Sequence, residues 1–201
     1  MLVFLFKLCV MTVVAYLIGS IPTGYLIVKS KTGEDIRTIG SGSTGATNVK
    51  RVLGKKWFFT VMLLDAIKGA VPVCLSAAIV GYALGGIAPV LSAIAVLIGH
   101  SKPVFLGFQG GKSVASGVGT IIALNPLVGI SIALIWGIIT YVTKYVSVGS
   151  MIALAVSPIL MLLFGAPIAY ILYCALGAAY IIYLHRTNIQ RLIAGNENKV
   201  R

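Results

Sequence analysis

Gly99-His100-Ser101-Lys102-Pro103-Val104-Phe105-Leu106-Gly107-Phe108-Gln109-Gly110-Gly111-Lys112-Ser113-Val114-Ala115-Ser116-Gly117-Val118-Gly119 breaks a chain that is otherwise mostly apolar. A glycine pair, a lysine and hydroxyl side chains stand directly before a new apolar run. Backbone N–H groups at a glycine turn that opens a helix, with an ammonium beside them, form a ready anion site. The apolar segments on either side set this turn at the edge of a membrane.

Composition supports that placement. Of 201 residues, 59% are hydrophobic and 10% charged, and the mean hydropathy is +1.04. Soluble domains carry about 25% charged residues, so the membrane class is favoured. Sixteen Lys and Arg stand against four acids, Glu34, Asp35, Asp65 and Glu197. That balance suits an anionic leaflet or phosphorylated substrates. Nucleic acid is disfavoured, because the basic residues lie between apolar spans. Cys9, Cys74 and Cys174 are far apart within apolar runs and suggest neither a disulfide framework nor a thiolate metal site.

The apolar runs predict an all-α, polytopic membrane protein forming one integral-membrane domain over 1–201. About seven crossings are expected, at 2–28, 57–80, 83–98, 114–124, 127–142, 151–164 and 168–184. The first is too long for the apolar core of a signal peptide and reads as a retained helix, kinked near Gly19-Ser20-Ile21-Pro22-Thr23-Gly24. Several of the others are shorter than the roughly 17–25 residues of a full span, which implies tilted or re-entrant pieces around a polar centre.

Cation counting sets the orientation. Segments 29–56, 99–113, 143–150 and 185–201 hold 14 of the 16 Lys and Arg, and only Lys7 and Lys68 lie elsewhere. The positive-inside rule puts these segments, with their glycine-rich loops, in the cytoplasm together with the C-terminus, and the N-terminus outside.

Three cytoplasmic constellations carry chemistry. Ile39-Gly40-Ser41-Gly42-Ser43-Thr44-Gly45-Ala46-Thr47-Asn48-Val49-Lys50-Arg51 offers flexible backbone donors, and Arg51 can give a phosphate a bidentate fork. Phe108-Gln109-Gly110-Gly111-Lys112-Ser113 approaches a Walker A motif, yet Leu106 stands where that motif needs glycine. No strand precedes it, which argues against an NTPase. It reads instead as a phosphate-holding turn. In Tyr183-Leu184-His185-Arg186-Thr187-Asn188-Ile189-Gln190-Arg191-Leu192, His185 and Asn188 share a helix face. His185 can bind phosphate or exchange a proton. Asp65 and Lys68, three apart inside the second span, read as a structural pair bracing the polar centre.

With these segments together, the sequence resembles the PlsY family, the bacterial acyl-phosphate-dependent glycerol-3-phosphate acyltransferases. The resemblance runs nearly the whole chain. It is carried by Gly40-Ser41-Gly42, by Gly45-Ala46-Thr47-Asn48 with Arg51, by Gly99-His100 through Gly110-Gly111-Lys112 with Val114-Ala115, and by His185-Arg186, Asn188-Ile189 and Arg191-Leu192. It implies a compact seven-helix membrane protein of the plasma or inner membrane with a cytosol-facing site. The implied reaction moves an acyl group from acyl phosphate to the sn-1 hydroxyl of glycerol 3-phosphate, giving lysophosphatidic acid and phosphate.

The implied catalytic residues are Ser41, Lys112 and His185. The implied substrate-binding residues are Gly40, Gly42, Thr47, Asn48, Arg51, Gly110, Gly111, Ser150 and Asn188, with Ser150 placed in a short loop. No metal or cofactor is called for, and the implied partners are the two substrates and membrane lipids. Ser43 stands where the family usually has Asn, Gln109 where Lys is usual and Ser113 where Gly is usual. The other class of function compatible with glycine loops, clustered cations and short spans is a small transporter of phosphorylated anions. Against it, the cations sit on one side and no internal repeat is visible.

Overall fold

Pro22 has no N–H with which to continue a helix, and it ends the first apolar run at the expected place. In the computed structural model, which describes residues 1–200, α1 (Leu2–Gly19) stops there and α2 (Thr23–Thr32) begins. After a 3-10 turn at Ile36–Thr38 follow α3 (Ala46–Leu53), α4 (Lys55–Val80) and α5 (Ala83–Ser101). A second 3-10 turn, Val104–Leu106, leads to α6 (Val114–Leu124), α7 (Pro126–Thr143), α8 (Val146–Leu163), α9 (Ile168–Leu184) and α10 (Arg186–Ile193). No strand occurs among the described residues.

Helix lengths refine the expected seven crossings. Five stretches are long and apolar enough to span: Leu2–Thr32, Lys55–Val80, Ala83–Leu106, Pro126–Thr143 and Val146–Leu163. A sixth arises if α9 and α10, which meet at 58°, count as one broken span. The run at 114–124 forms α6, whose 11 residues cover about 16 Å of a roughly 30 Å hydrocarbon core. It starts at the glycine turn and penetrates only part way by itself.

The outward faces are apolar. Leu63, Leu134, Leu162 and Leu176 are each 60–68% exposed, a pattern that suits lipid and would be costly in water. Inside, α4 packs on α6, α1 on α5, and α7, α8 and α9 on one another in sequence. The main core gathers Leu97, Ile121, Ile132, Leu154, Met161 and Ile181.

Close backbone approach explains four glycines. A Cβ on Gly19 would meet the Val96 carbonyl at 2.7 Å, and one on Gly99 would meet the Ser20 nitrogen at 2.9 Å, so α1 and α5 touch backbone to backbone. Gly69 and Gly119 serve α4 and α6 reciprocally, against Ser116 and Ala66. Small residues at such crossings maximise contact where lipid offers no hydrophobic incentive to associate.

The first polar loop is folded over a core of its own. Val28, Ile36, Val49 and Val61 are fully buried together, which pins amphipathic α3 against α2 and α4. At the other loops, α8 begins at Val146, earlier than the expected 151. Ser150 therefore lies in the first turns of a helix rather than in a loop, and its hydroxyl donates to the Val146 carbonyl at 2.8 Å.

Candidate active site

Asn48 holds the first loop together. Its buried side-chain nitrogen lies within reach of the carbonyls of Ile39 (2.9 Å), Ser43 (3.0 Å) and Ile36 (3.3 Å). Its oxygen accepts from the Ser41 N–H at 3.1 Å and from Arg51 Nη1 at 3.4 Å. Gly40 and Gly42 have positive φ, and a Cβ on Gly40 would strike the Asn48 oxygen. These glycines and this asparagine shape the loop so that Ser41, Thr47 and Arg51 reach one cavity.

The second loop lies flat against the end of α5. The Gly111 N–H donates to the His100 carbonyl at 3.1 Å. A Cβ on Gly111 would strike His100 Nε2, and one on Gly110 would strike the His100 carbonyl oxygen. The glycine pair is thus needed for close packing, and the Gly111 amide is already committed inside the protein. Ser113 adopts the left-handed region (φ 59°), and its hydroxyl donates to the Leu97 carbonyl at 2.8 Å. That bond offsets the strain of carrying a Cβ in this region.

The third segment follows the bend between α9 and α10. Asn188 Oδ1 accepts from Lys112 Nζ, and Asn188 Nδ2 donates to Glu197 at 2.6 Å. Glu197 also accepts from Ser147 at 2.8 Å and from Arg191 at 2.7 Å. The C-terminal segment is held back over the site by these bonds and by the Val200 N–H on the Lys144 carbonyl, 2.7 Å.

All three segments converge on a cavity of about 490 Å³. Ser41, Thr47, Asn48, Arg51, Lys112, Ser150, His185 and Asn188 line it, whereas Gly40, Gly42, Gly110 and Gly111 do not: Gly40 packs on Asn48, and Gly110 and Gly111 pack on His100. The far wall is apolar, with Phe58, Met62, Leu63, Val118, Ala133 and Trp136. A cationic mouth beside an apolar wall fits a molecule with a phosphate head and a hydrocarbon tail.

Charge states follow from burial. Lys112 is pushed down to about 8, first by burial and then by Arg191, with Glu197 opposing. Burial pushes Glu197 upward, but hydrogen bonds from Asn188, Arg191 and Ser147 outweigh it and leave the carboxyl below its ordinary range. His185, at the cap after α9, is pushed down to about 4 by burial, against the opposing bond to the Ile181 carbonyl. That bond, 2.8 Å long, requires the proton on Nδ1 because a carbonyl only accepts. Neutral His185 therefore carries its free lone pair on Nε2.

Among the further cavity residues that were not singled out as site residues from the sequence are Asp65, His100, Arg191 and Glu197. The Asp65–Lys68 pair forms as expected, with Nζ 2.8 Å from Oδ1. Nothing in residue spacing marked its exposure to the cavity. Glu197 carried only one signal, being one of four acids in a basic chain.

A helical bundle with a lipid-facing exterior and a cationic, apolar-backed cavity at one end defines a polytopic integral membrane protein that handles amphiphilic anions. The chain belongs to the glycerol-3-phosphate acyltransferase family, whose sequence profile matches residues 9–195. A glycerol-3-phosphate acyltransferase of Trichormus variabilis is 41% identical over 202 residues, covering 94% of this chain and 89% of the relative. One from Synechococcus sp. (strain JA-3-3Ab) is 44% identical over 188 residues, covering 92% and 89%.

Two crystal structures of PlsY (YgiH), an integral membrane glycerol 3-phosphate acyltransferase, have the same fold. Its glycerol 3-phosphate form superposes with a TM-score of 0.92 at 37% identity, over 96% of each chain. Its lysophosphatidic acid form gives 0.87 at 35% identity, over 96% of this chain and 95% of that one.

Proposed function

We propose that this protein transfers an acyl group from an acyl phosphate to the sn-1 hydroxyl of glycerol 3-phosphate, releasing lysophosphatidic acid and inorganic phosphate. Family membership supports the acyltransferase class over the transporter reading. The observation that carries the assignment of residues is the meeting of Arg51, Lys112, His185 and Asn188, from three separate segments, on one cavity with an apolar far wall.

An acyl phosphate is already activated, so no covalent protein nucleophile is needed. The protein has to hold two phosphorylated molecules against their repulsion and align hydroxyl with carbonyl. Lys112 neutralises the acyl-phosphate head. Arg51 and Asn188 hold glycerol 3-phosphate, and the Ser41 hydroxyl donates to the oxyanion that develops on the carbonyl. Asn48, Gly40, Gly42, Gly110 and Gly111 act through loop shape, consistent with their bonds and close contacts. Thr47 and Ser150 contribute polar wall.

Neutral His185 presents Nε2 as an acceptor that can orient the attacking hydroxyl. With a pKa of about 4 it is a weaker base than a phosphate, whose second proton is bound near pH 6. We therefore assign the final proton to an oxygen of the leaving phosphate. The acyl chain runs along Phe58, Met62 and Val118.

The whole chain acts as one unit, because segments from its first loop to its tail build the same cavity. The clustered cations favour a cavity at the cytoplasmic face of the plasma or inner membrane, with the N-terminus outside. Purified protein given palmitoyl phosphate and glycerol 3-phosphate is expected to form lysophosphatidic acid. Faster transfer from acyl-CoA or acyl carrier protein, run in parallel, would overturn the donor assignment.

A further inference from the structure

Behind the glycine loop lies a buried charged cluster that the reaction described above does not use. His100, on the last turn of α5, is 7% exposed, and Asp65, on α4, is 2% exposed. His100 Nδ1 shares a hydrogen bond of 2.9 Å with the Ser116 hydroxyl of α6, and lies 3.8 Å from Asp65 Oδ1. Lys68 stands 2.8 Å from the same oxygen and donates to the Ile21 carbonyl, at the break between α1 and α2, at 2.7 Å. That close ion pair holds the Asp65 carboxylate beside the imidazole. The cluster ties α4, α5, α6 and the α1–α2 break to a single imidazole.

The other edge of that imidazole is where the glycine loop rests. Gly111 has its α-carbon against His100 Nε2, with no room for a Cβ, and its N–H on the His100 carbonyl. Lys112 is the next residue. The residue before it thus rests on a ring that is itself held by Ser116 and Asp65. We propose that His100, oriented by Asp65 and Ser116, is a positioning residue that seats Gly111 and thereby sets where Lys112 meets the substrate phosphate. This rests on the assignment of Lys112 to phosphate binding given above. A displacement of about 1 Å at a reacting group can cost about a hundredfold in rate, so a seat that moves the loop slightly has a large effect without touching substrate.

The test is a double-substitution cycle. Gly111→Ala introduces a methyl where Nε2 lies, at a position whose φ is ordinary for any residue. His100→Asn shortens the side chain away from Gly111 while keeping a polar atom near Ser116. Each single variant is expected to lose about a hundredfold in kcat/KM, with unchanged thermal unfolding in detergent. In the double variant the methyl has space, so its loss is expected to be no greater than that of His100→Asn alone.

Multiplicative losses, or loss of activity only in step with unfolding, would overturn the proposal. His100→Gln, which returns a nitrogen or oxygen to the Nε2 position, is expected to recover most of the activity; failure to recover counts against the seat. Lys112→Ala is assayed alongside. If it keeps full turnover, the phosphate-binding assignment fails; if it is inactive while the cycle is multiplicative, only the seating proposal fails.

Discussion

Lys112 Nζ donates a hydrogen bond to Asn188 Oδ1, joining the glycine loop to the last helix across 76 positions of sequence. The same amide donates its N–H to Glu197 at 2.6 Å, so Asn188 is oriented with its oxygen toward the cation and its nitrogen toward the carboxylate. Removing it releases Lys112 and leaves Glu197 with Ser147 and Arg191. Hydrogen bonds to charged groups contribute about 1.5–3 kcal/mol. Asn188→Ala is therefore expected to lower kcat/KM by roughly 10- to 100-fold. Asn188→Asp is expected to be worse, because a carboxylate there would neutralise Lys112 and repel Glu197. Steady-state kinetics with varied glycerol 3-phosphate check the order; an Asp variant as active as wild type would contradict it.

The pKa of Lys112 sets an alkaline limit on activity. Burial and Arg191 lower it to about 8 from an ordinary 10.5, so the free enzyme loses this cation as pH rises through 8. The profile of kcat/KM is expected to fall above that pH, by about tenfold per unit once the lysine is neutral. Lys112→Arg, which stays charged throughout, is expected to lose the alkaline limb even at reduced turnover. Stability moves the opposite way. Between about 8 and 10.5 the unfolded chain binds this proton and the folded one does not, so unfolding free energy rises with pH over that window. Below 8 both states hold the proton and the contribution is flat. Activity and thermal unfolding recorded across the same buffers would show the opposed slopes.

The legible parts of this molecule were those written in short-range pattern. Apolar runs gave the helices, and Pro22, Pro126 and Pro167 fall at helix starts as punctuation predicts. The three polar segments were visible because hydroxyls, glycines and cations interrupt apolar sequence. What could not be read was which atoms those groups spend on one another. Asn48 looked like a ligand for substrate, yet loop backbone uses both ends of its amide. Gly111 looked like an open amide donor, yet its N–H belongs to His100. Glu197 lies beyond the last motif, and only the folding back of the tail brings it to Asn188 and Arg191. Such long-range accounting has no signature in spacing.

Ser113 stands in the left-handed region, where a Cβ costs about 1 kcal/mol. Its hydroxyl bond to Leu97 returns a similar amount. Ser113→Gly is therefore expected to change stability by less than about 1 kcal/mol, since strain and hydrogen bond leave together. Ser113→Ala keeps the strain and loses the bond, and is expected to destabilise by about 1 kcal/mol or more. Thermal unfolding of both variants in one detergent separates the terms. An Ala variant as stable as the Gly variant would mean that the left-handed backbone costs nothing, and one as stable as the wild type would mean that the hydroxyl contributes nothing.

Asp65 and Lys68 face each other at 2.8 Å with both side chains nearly buried. Taking one charge away leaves the other uncompensated, which in buried pairs costs about 3–5 kcal/mol. Asp65→Ala is expected to lower the unfolding temperature sharply, since Lys68 would keep only the Ile21 carbonyl. Replacing both, as Asp65→Leu with Lys68→Met, removes the two desolvation costs together and is expected to restore most of the lost stability. The double variant is not expected to restore turnover, because Asp65 also orients His100 beneath the Lys112 loop. A stable but slow double variant would separate the two duties of this carboxylate; one that is both stable and fully active would show that the pair serves the fold alone.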